Sequence, residues 1–218
     1  MPPSCLLSRV QRGIEALYRV DTGVVVDDFV IDAAARDALE PERRPREQLL
    51  VCEGGGEMAI ALFVDPAAIA NLRAHDPARR LGDHNLGDFL LAVEGVSHFI
   101  YAVWCARVER PVTQLELELQ AEVDKYVVCL LASEPDAPNT RASARWRERL
   151  FAEPCYEPDL ADDELSRYRA ANDNANRYAA WLESEFVAPR RIPEMLAELR
   201  RFYRRGLSEK LGAIARAA

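Results

Sequence analysis

Apolar residues follow two different periods in the N-terminal third of the chain. In residues 4–20 they recur every three or four positions, which predicts an amphipathic helix. Residues 24–31 are rich in β-branched side chains and predict a strand near the edge of a sheet. Residues 49–53 and 58–64 are two apolar runs joined by three glycines, which predicts a β-hairpin. We therefore expect about three antiparallel strands here.

Beyond residue 64 the pattern becomes helical. Asp65 before Pro66 is typical of a helix start, and Thr113 with Glu116 forms a capping box. The predicted helices cover residues 65–75, 85–108, 113–132, a short stretch around Trp146, 162–186 and 193–215. Because Pro111 separates the second of these from the third, residues 85–132 are expected to form a helical hairpin.

The order of these elements predicts an α+β fold, in which the small antiparallel sheet packs against a central helical hairpin. Residues 133–140 hold two prolines and no large apolar side chain, as is typical of a boundary between domains. We expect an α+β core domain in residues 1–135 and a helical C-terminal extension, packed on that core, in residues 136–218. The strands are too few for a doubly wound sheet.

Composition narrows the class of protein but does not identify an activity. The chain has 28 basic and 36 acidic residues, a net charge of −8, which disfavours nucleic acid as a general partner. Five cysteines without a CxxC motif, together with the lack of a secretory signal, predict a cytoplasmic protein with reduced thiols. Only two of the 28 basic residues, Lys125 and Lys210, are lysines, and this arginine bias suggests a bacterial gene of high GC content.

The helix predicted at 85–108 is apolar on almost every side, so it is expected to be buried. A membrane span is disfavoured because Glu94 and His98 would lie near the bilayer centre. At 100° per residue, a polar stripe runs along this helix. Its members are Glu94, Ser97, His98, Tyr101 and Cys105. Buried carboxylate and imidazole groups need hydrogen bonds, ion pairs or a metal, so this stripe is the main candidate site.

Three interpretations of the stripe are open. The first is a structural network that fixes the register of the hairpin. The second is a divalent metal site shared by both helices of the hairpin, with Glu94, His98, Glu118 and Glu122 as ligands. The third is metal-free catalysis, with His98 as a general base oriented by Glu94 or Glu122 and with Ser97 or Tyr101 nearby. In a metal-dependent enzyme, Lys125 or Tyr101 would assist proton transfer. We favour the first interpretation, because buried polar networks are common in domains of this size.

A second candidate surface lies on the last predicted helix, where four arginines flank Phe202 and Tyr203. They are Arg200, Arg201, Arg204 and Arg205. Basic residues beside aromatics can contact nucleic acid, but a solvated or intramolecularly paired face is the simpler expectation.

The sequence contains no complete catalytic motif, so whether the protein is an enzyme stays open. The leading functional hypothesis is a non-enzymatic binding or adaptor protein, with a protein partner or a second copy of the chain. The alternatives are a metal-dependent hydrolase-like or redox enzyme at the Glu94 and His98 stripe, and a nucleic-acid contact through the four arginines.

Overall fold

The fold is α+β and mostly helical. The computed structural model describes residues 6–40, 44–54, 57–133, 138–152, 154 and 160–217. Its helices are α1 (Leu6–Tyr18), α2 (Ala33–Leu39), α3 (Pro66–Ala74), α4 (Leu86–Arg107), α5 (Gln114–Ser133), α6 (Thr140–Phe151), α7 (Asp162–Leu182), α8 (Ile192–Arg204) and α9 (Leu207–Ala217). Its strands are β1 (Glu47–Gly54) and β2 (Glu57–Val64), which pair antiparallel and confirm the predicted hairpin.

Contacts between residues divide the chain into two compact units. The first unit comprises Met1–Ala16 and Val20–Arg110, and the second comprises Leu17–Arg19 and Pro111–Ala218. The boundary expected near residue 135 lies in 134–137, outside the described residues, so the division into 1–135 and 136–218 stays a prediction. In the structure α5 belongs with the C-terminal helices.

In the first unit the β-hairpin packs against α4 at the end far from its turn. Leu49 pairs with Leu62 and Glu47 with Val64, and the side chains of Leu62 and Val64 are buried. A Cβ atom added at Gly95 of α4 would lie 3.1 Å from Cδ1 of Leu62. The helix therefore approaches the sheet at a position that has no side chain.

The prediction of a third strand at residues 24–31 is wrong. Val26–Phe29 forms a 3₁₀ helix, and this segment meets the sheet through one isolated parallel bridge between Val30 and Leu62. The Gln11 side chain of α1 replaces a neighbouring strand, because its amide donates to the carbonyl of Val24 at 2.8 Å and accepts from the Val26 N–H at 2.9 Å. The carbonyl of Val24 and the N–H of Val26 therefore have a side chain of α1 as their partner in place of a strand.

In the second unit α5 packs on α6 and α7, and α7 also packs on α9. Within the helix predicted at 162–186, the α-helical part ends at Leu182, and the chain continues as a π-helical turn, Glu183–Val187. The single helix predicted at 193–215 is wrong, since α8 ends at Arg204 and α9 starts at Leu207. Gly206 lies at this break, where it favours an interruption of the helix.

The central helical hairpin of residues 85–132 is not confirmed, although both of its helices exist. The main packing partners of α4 are α3, β1 and β2, whereas those of α5 are α6 and α7. By length and composition α4 would be able to cross a membrane, but most of it is buried within the structure. This burial agrees with the core helix predicted from the sequence.

Candidate functional site

The most suggestive side chains of the first unit are Glu94 and His98, one turn apart on α4. A carboxylate oxygen of Glu94 and a ring nitrogen of His98 lie within 4.8 Å of each other. His98 is buried, whereas Glu94 is half-buried. The pair thus joins a buried imidazole to the carboxylate of a half-buried residue.

Glu47 of β1 approaches the same histidine. Its Oε1 lies 3.7 Å from Nδ1 of His98, and both side chains are about one-tenth exposed. This separation is longer than a hydrogen bond, and the contact is an ion pair when the imidazole is protonated. A Cβ atom at Gly95 would lie 2.9 Å from Cγ of Glu47, so the glycine gives Glu47 its place beside His98.

Tyr101 and Cys105, further along the stripe, contact Arg110. One guanidinium nitrogen of Arg110 lies 2.8 Å from the Tyr101 hydroxyl and 2.9 Å from Sγ of Cys105. The guanidinium also stacks over the rings of Tyr101 and Trp104. Tyr101, predicted to assist proton transfer, is thus buried and held by a cation.

The other predicted ligands and the second predicted proton-transfer residue belong to the second unit. Glu122 accepts a hydrogen bond from Nζ of Lys125 at 2.6 Å, and both side chains are largely buried. Glu118 is half-buried on the same helix. The ammonium of Lys125 therefore neutralises the negative charge of Glu122. The four-ligand metal centre and the catalytic roles of His98, Lys125 and Tyr101 stay predictions.

A second polar network, fully inside the second unit, was not predicted as a site. Glu116, Gln120 and Asp124 form one buried stripe of α5. Lys210, also buried, donates to Gln120 at 2.7 Å, and Gln120 donates to Asp124 at 2.8 Å. Tyr18 donates to Asp124 as well, and burial, followed by the charge of Asp124, raises the pKa of Tyr18.

Glu116 does more than the capping box requires. The N–H of Glu116 donates to the Thr113 hydroxyl at 3.2 Å, as the capping box predicts. Its own carboxylate, however, accepts from the N–H of Leu207 at 3.2 Å, the first residue of α9. A carboxylate at a helix N-terminus is favourable, so Glu116 helps to fix the start of α9.

The four arginines of the second candidate surface all have partners in the second unit. Arg200 and Arg204 donate to the backbone carbonyls of Leu17, Tyr18 and Arg19, at 2.9 to 3.0 Å. Arg201 and Arg205 both pair with Glu198, at 2.7 and 3.0 Å. The face is intramolecularly paired. The proposed nucleic-acid contact is not tested by this geometry and stays a prediction.

Glu47 is the functional candidate that sequence reasoning missed. It precedes the apolar run of the first strand and looks like an ordinary polar strand end. The available signal was Gly95, a glycine in the middle of a helix one turn before His98, because an isolated helical glycine indicates close approach of another backbone or side chain. The identity of the approaching residue depends on tertiary packing.

Comparisons with known proteins give no further information on this site. The chain matches no protein-family model, and searches of the curated proteins and of the solved structures found no match.

Proposed function

We propose that the protein binds a divalent cation, with Glu94 and His98 as ligands in the first unit. The observation that carries this proposal is the proximity of the Glu94 carboxylate to the imidazole of His98, with the Glu47 carboxylate at Nδ1 of that imidazole. Carboxylate and imidazole ligands together suit Mn²⁺, Fe²⁺ or Zn²⁺.

Glu47 gives the site its orientation. Histidines that bind metals usually direct their other ring nitrogen at a carboxylate or carbonyl, which fixes the tautomer and makes the ligand more basic. If the 3.7 Å separation between Oε1 of Glu47 and Nδ1 of His98 shortens to a hydrogen bond when the ion binds, Nε2 is the nitrogen of His98 that is left for the metal. The half-buried position of Glu94 leaves room for water molecules, which complete the coordination of most catalytic and exchangeable metal sites.

We favour metal binding over catalysis as the role of His98. The assisting groups named from the sequence, Lys125 and Tyr101, are held by Glu122 and Arg110 respectively. The adaptor hypothesis, with a protein partner or a second copy of the chain, stays a prediction, as does the cytoplasmic location.

Calorimetric titration with Mn²⁺ tests the proposal. Wild-type protein is expected to bind one ion at this site, and Glu94→Gln, which keeps the shape of the side chain, should weaken binding by about tenfold or more. His98→Gln should weaken it at least as much, and Glu47→Gln by about tenfold, because the orienting charge is lost. Glu109→Gln, an exposed residue just beyond α4, is the matched control.

Equal Mn²⁺ affinity in wild-type protein and in Glu94→Gln would contradict the proposal, even if His98→Gln fails to fold. The same titration of Glu118→Gln and Glu122→Gln tests whether those two residues are ligands, as expected from the sequence.

A further inference from the structure

A different pair of histidines lies at the surface of the first unit. His75 and His84 are two of the three histidines of the chain, and they come from opposite ends of the segment between α3 and α4. Their ring centroids are 5.0 Å apart and the ring planes meet at 80°. Both side chains are exposed. The fold thus brings together two imidazoles that are nine residues apart in sequence.

Hydrogen bonds fix the backbone on both sides of the pair. The buried Asn85 side chain donates to the carbonyl of His75 at 2.9 Å and accepts from the N–H of Gly82 at 2.9 Å. Asn71 donates to the carbonyl of His84, also at 2.9 Å. Because the backbones are held, the two imidazoles stay within reach of each other without a further loss of chain entropy.

The segment is also anchored to α1. Arg9 binds both carboxylate oxygens of Asp76, at 2.7 and 3.0 Å, and this hydrogen bonding holds the pKa of Asp76 below its usual range. Asp76 is therefore committed to an ion pair that stabilises the segment.

The separation of the two rings matches that of two imidazoles bound to one metal ion. A Zn–N bond of about 2.0–2.1 Å and a tetrahedral angle place the centroids of two coordinated rings about 5 Å apart. The observed 5.0 Å is therefore compatible with rotation of each ring about its own side-chain bonds, without movement of the backbone. Exposure leaves the remaining coordination positions to water.

We propose that His75 and His84 form a two-histidine chelate for a borderline divalent transition metal such as Zn²⁺. Neutral imidazole is a preferred ligand of Zn²⁺, Cu²⁺ and Ni²⁺. This site is separate from the one built on Glu94 and His98 and does not depend on it.

The test is a Zn²⁺ titration of the Glu94→Gln/His98→Gln variant, in which the other proposed site has been removed. This background is expected to bind one Zn²⁺. His75→Ala alone and His84→Ala alone should each lower the affinity by about tenfold or more, and the variant with both changes should lose little further, because a chelate is lost with either ligand. The same three histidine variants in the otherwise wild-type chain provide the measurement if the background is unstable.

Two results would overturn the proposal. One is that neither single variant changes Zn²⁺ binding. The other is that the background binds two Zn²⁺ ions and each single variant keeps one of them with unchanged affinity, since this is the behaviour of two independent surface histidines. Mn²⁺ binding that is lost in Glu94→Gln and kept in the His75 and His84 variants would separate the two sites.

Discussion

At the scale of single residues, a glycine and two lysines determine how neighbouring side chains are arranged. Gly95 has no side chain at a position where Glu47 and Leu62 come close to α4. Both lysines of this arginine-rich chain are buried, Lys210 completely. Nζ of Lys210 donates to Gln120, and Nζ of Lys125 donates to Glu122. A compact ammonium fits such positions better than a planar guanidinium does. The composition indicated that these lysines are special, but their partners follow only from packing.

Gly95→Ala is expected to lower the free energy of unfolding by about 1–2 kcal/mol, because the new methyl group would overlap Glu47 and Leu62. Denaturation in urea measures this change. Gly87→Ala, in the same helix, is the control: its Cβ atom would meet nothing within 4 Å, so stability should stay level or rise by up to about 1 kcal/mol. Equal effects of the two substitutions would show that α4 does not approach the hairpin at Gly95.

At the scale of elements, helix interiors were well predicted from the sequence and their ends less so. Apolar positions and capping residues locate α1, α4 and α5 to within a few residues, because burial of their apolar side chains dominates their stability. The 3₁₀ helix at Val26–Phe29 depends on Gln11, a side chain from a distant part of the sequence. Gly206 favours the break between α8 and α9, and the distant side chain of Glu116 accepts from the first N–H of α9. A local pattern does not contain such partners.

In the part of the chain that the structure describes, three helical segments are followed by a residue other than glycine with a left-handed backbone conformation: α1, α4 and the π-helical turn after α7. The residues are Arg19, Glu109 and Arg190, with φ of 52°, 52° and 59°. After α4 the N–H of Arg110 bonds the carbonyl of Cys105 at 2.9 Å, the bond of a Schellman motif. Glycine adopts this conformation without a steric cost, so each of these helix ends stores some strain.

Glu109→Gly is therefore expected to raise the free energy of unfolding by about 0.5–1 kcal/mol, the relief of strain less the greater chain entropy of glycine in the unfolded state. The exposed helical residue Glu148 provides the control, since Glu148→Gly in the middle of α6 should lower stability by about 1 kcal/mol. Chemical denaturation of both variants measures the pair of effects. A loss of stability in Glu109→Gly would mean that its φ is not strained.

Arg200 and Arg204 donate hydrogen bonds to backbone carbonyls at the C-terminal end of α1. The double variant Arg200→Glu/Arg204→Glu removes donors from the carbonyls of residues 17–19 and places negative charge beside them, so stability should fall by about 2–4 kcal/mol. Retention on a heparin column should be unchanged by these substitutions. Arg12→Glu/Arg169→Glu, at two exposed positions, gives the same change in net charge as a control. Loss of heparin retention with unaltered stability would instead support the nucleic-acid hypothesis.

At the scale of the whole molecule, the fold class followed from the sequence, whereas the grouping of helices did not. The order of strands and helices predicts an α+β protein because hydrophobic periods differ between the two element types. The assignment of α5 to the C-terminal helices reflects which apolar faces fit each other, and many pairings are compatible with one pattern. The Glu94 and His98 pair was predicted from the spacing of residues along a helix, as the helices themselves were. The position of Glu47 beside this pair follows only from the tertiary structure.

Buried tyrosine hydroxyls and a buried thiol make the stability of the second unit sensitive to high pH. Burial raises the pKa of Tyr126 and of Cys129 to about 12, and that of Tyr178 as well. The unfolded chain loses these protons from about pH 8.5 for a thiol and pH 10 for a phenol, while the folded chain keeps them. Stability should therefore be complete below about pH 8 and fall as the pH rises toward 12.

Melting temperatures measured between pH 7 and pH 11 check this expectation. The decline at high pH should be smaller in Tyr178→Phe, which removes one buried phenol, than in wild-type protein. A melting temperature that does not change up to pH 11 would show that these groups are hydrated in the folded state.

The central claim is that Glu94 and His98 share a divalent cation, and the position of the ion tests it most directly. A crystal grown with Mn²⁺ and measured for anomalous scattering should show a peak about 2.0–2.2 Å from both a Glu94 oxygen and Nε2 of His98. The peak should disappear in Glu94→Gln. No peak at α4, with or without density elsewhere, would contradict the account and leave Glu47, Glu94 and His98 as a structural network.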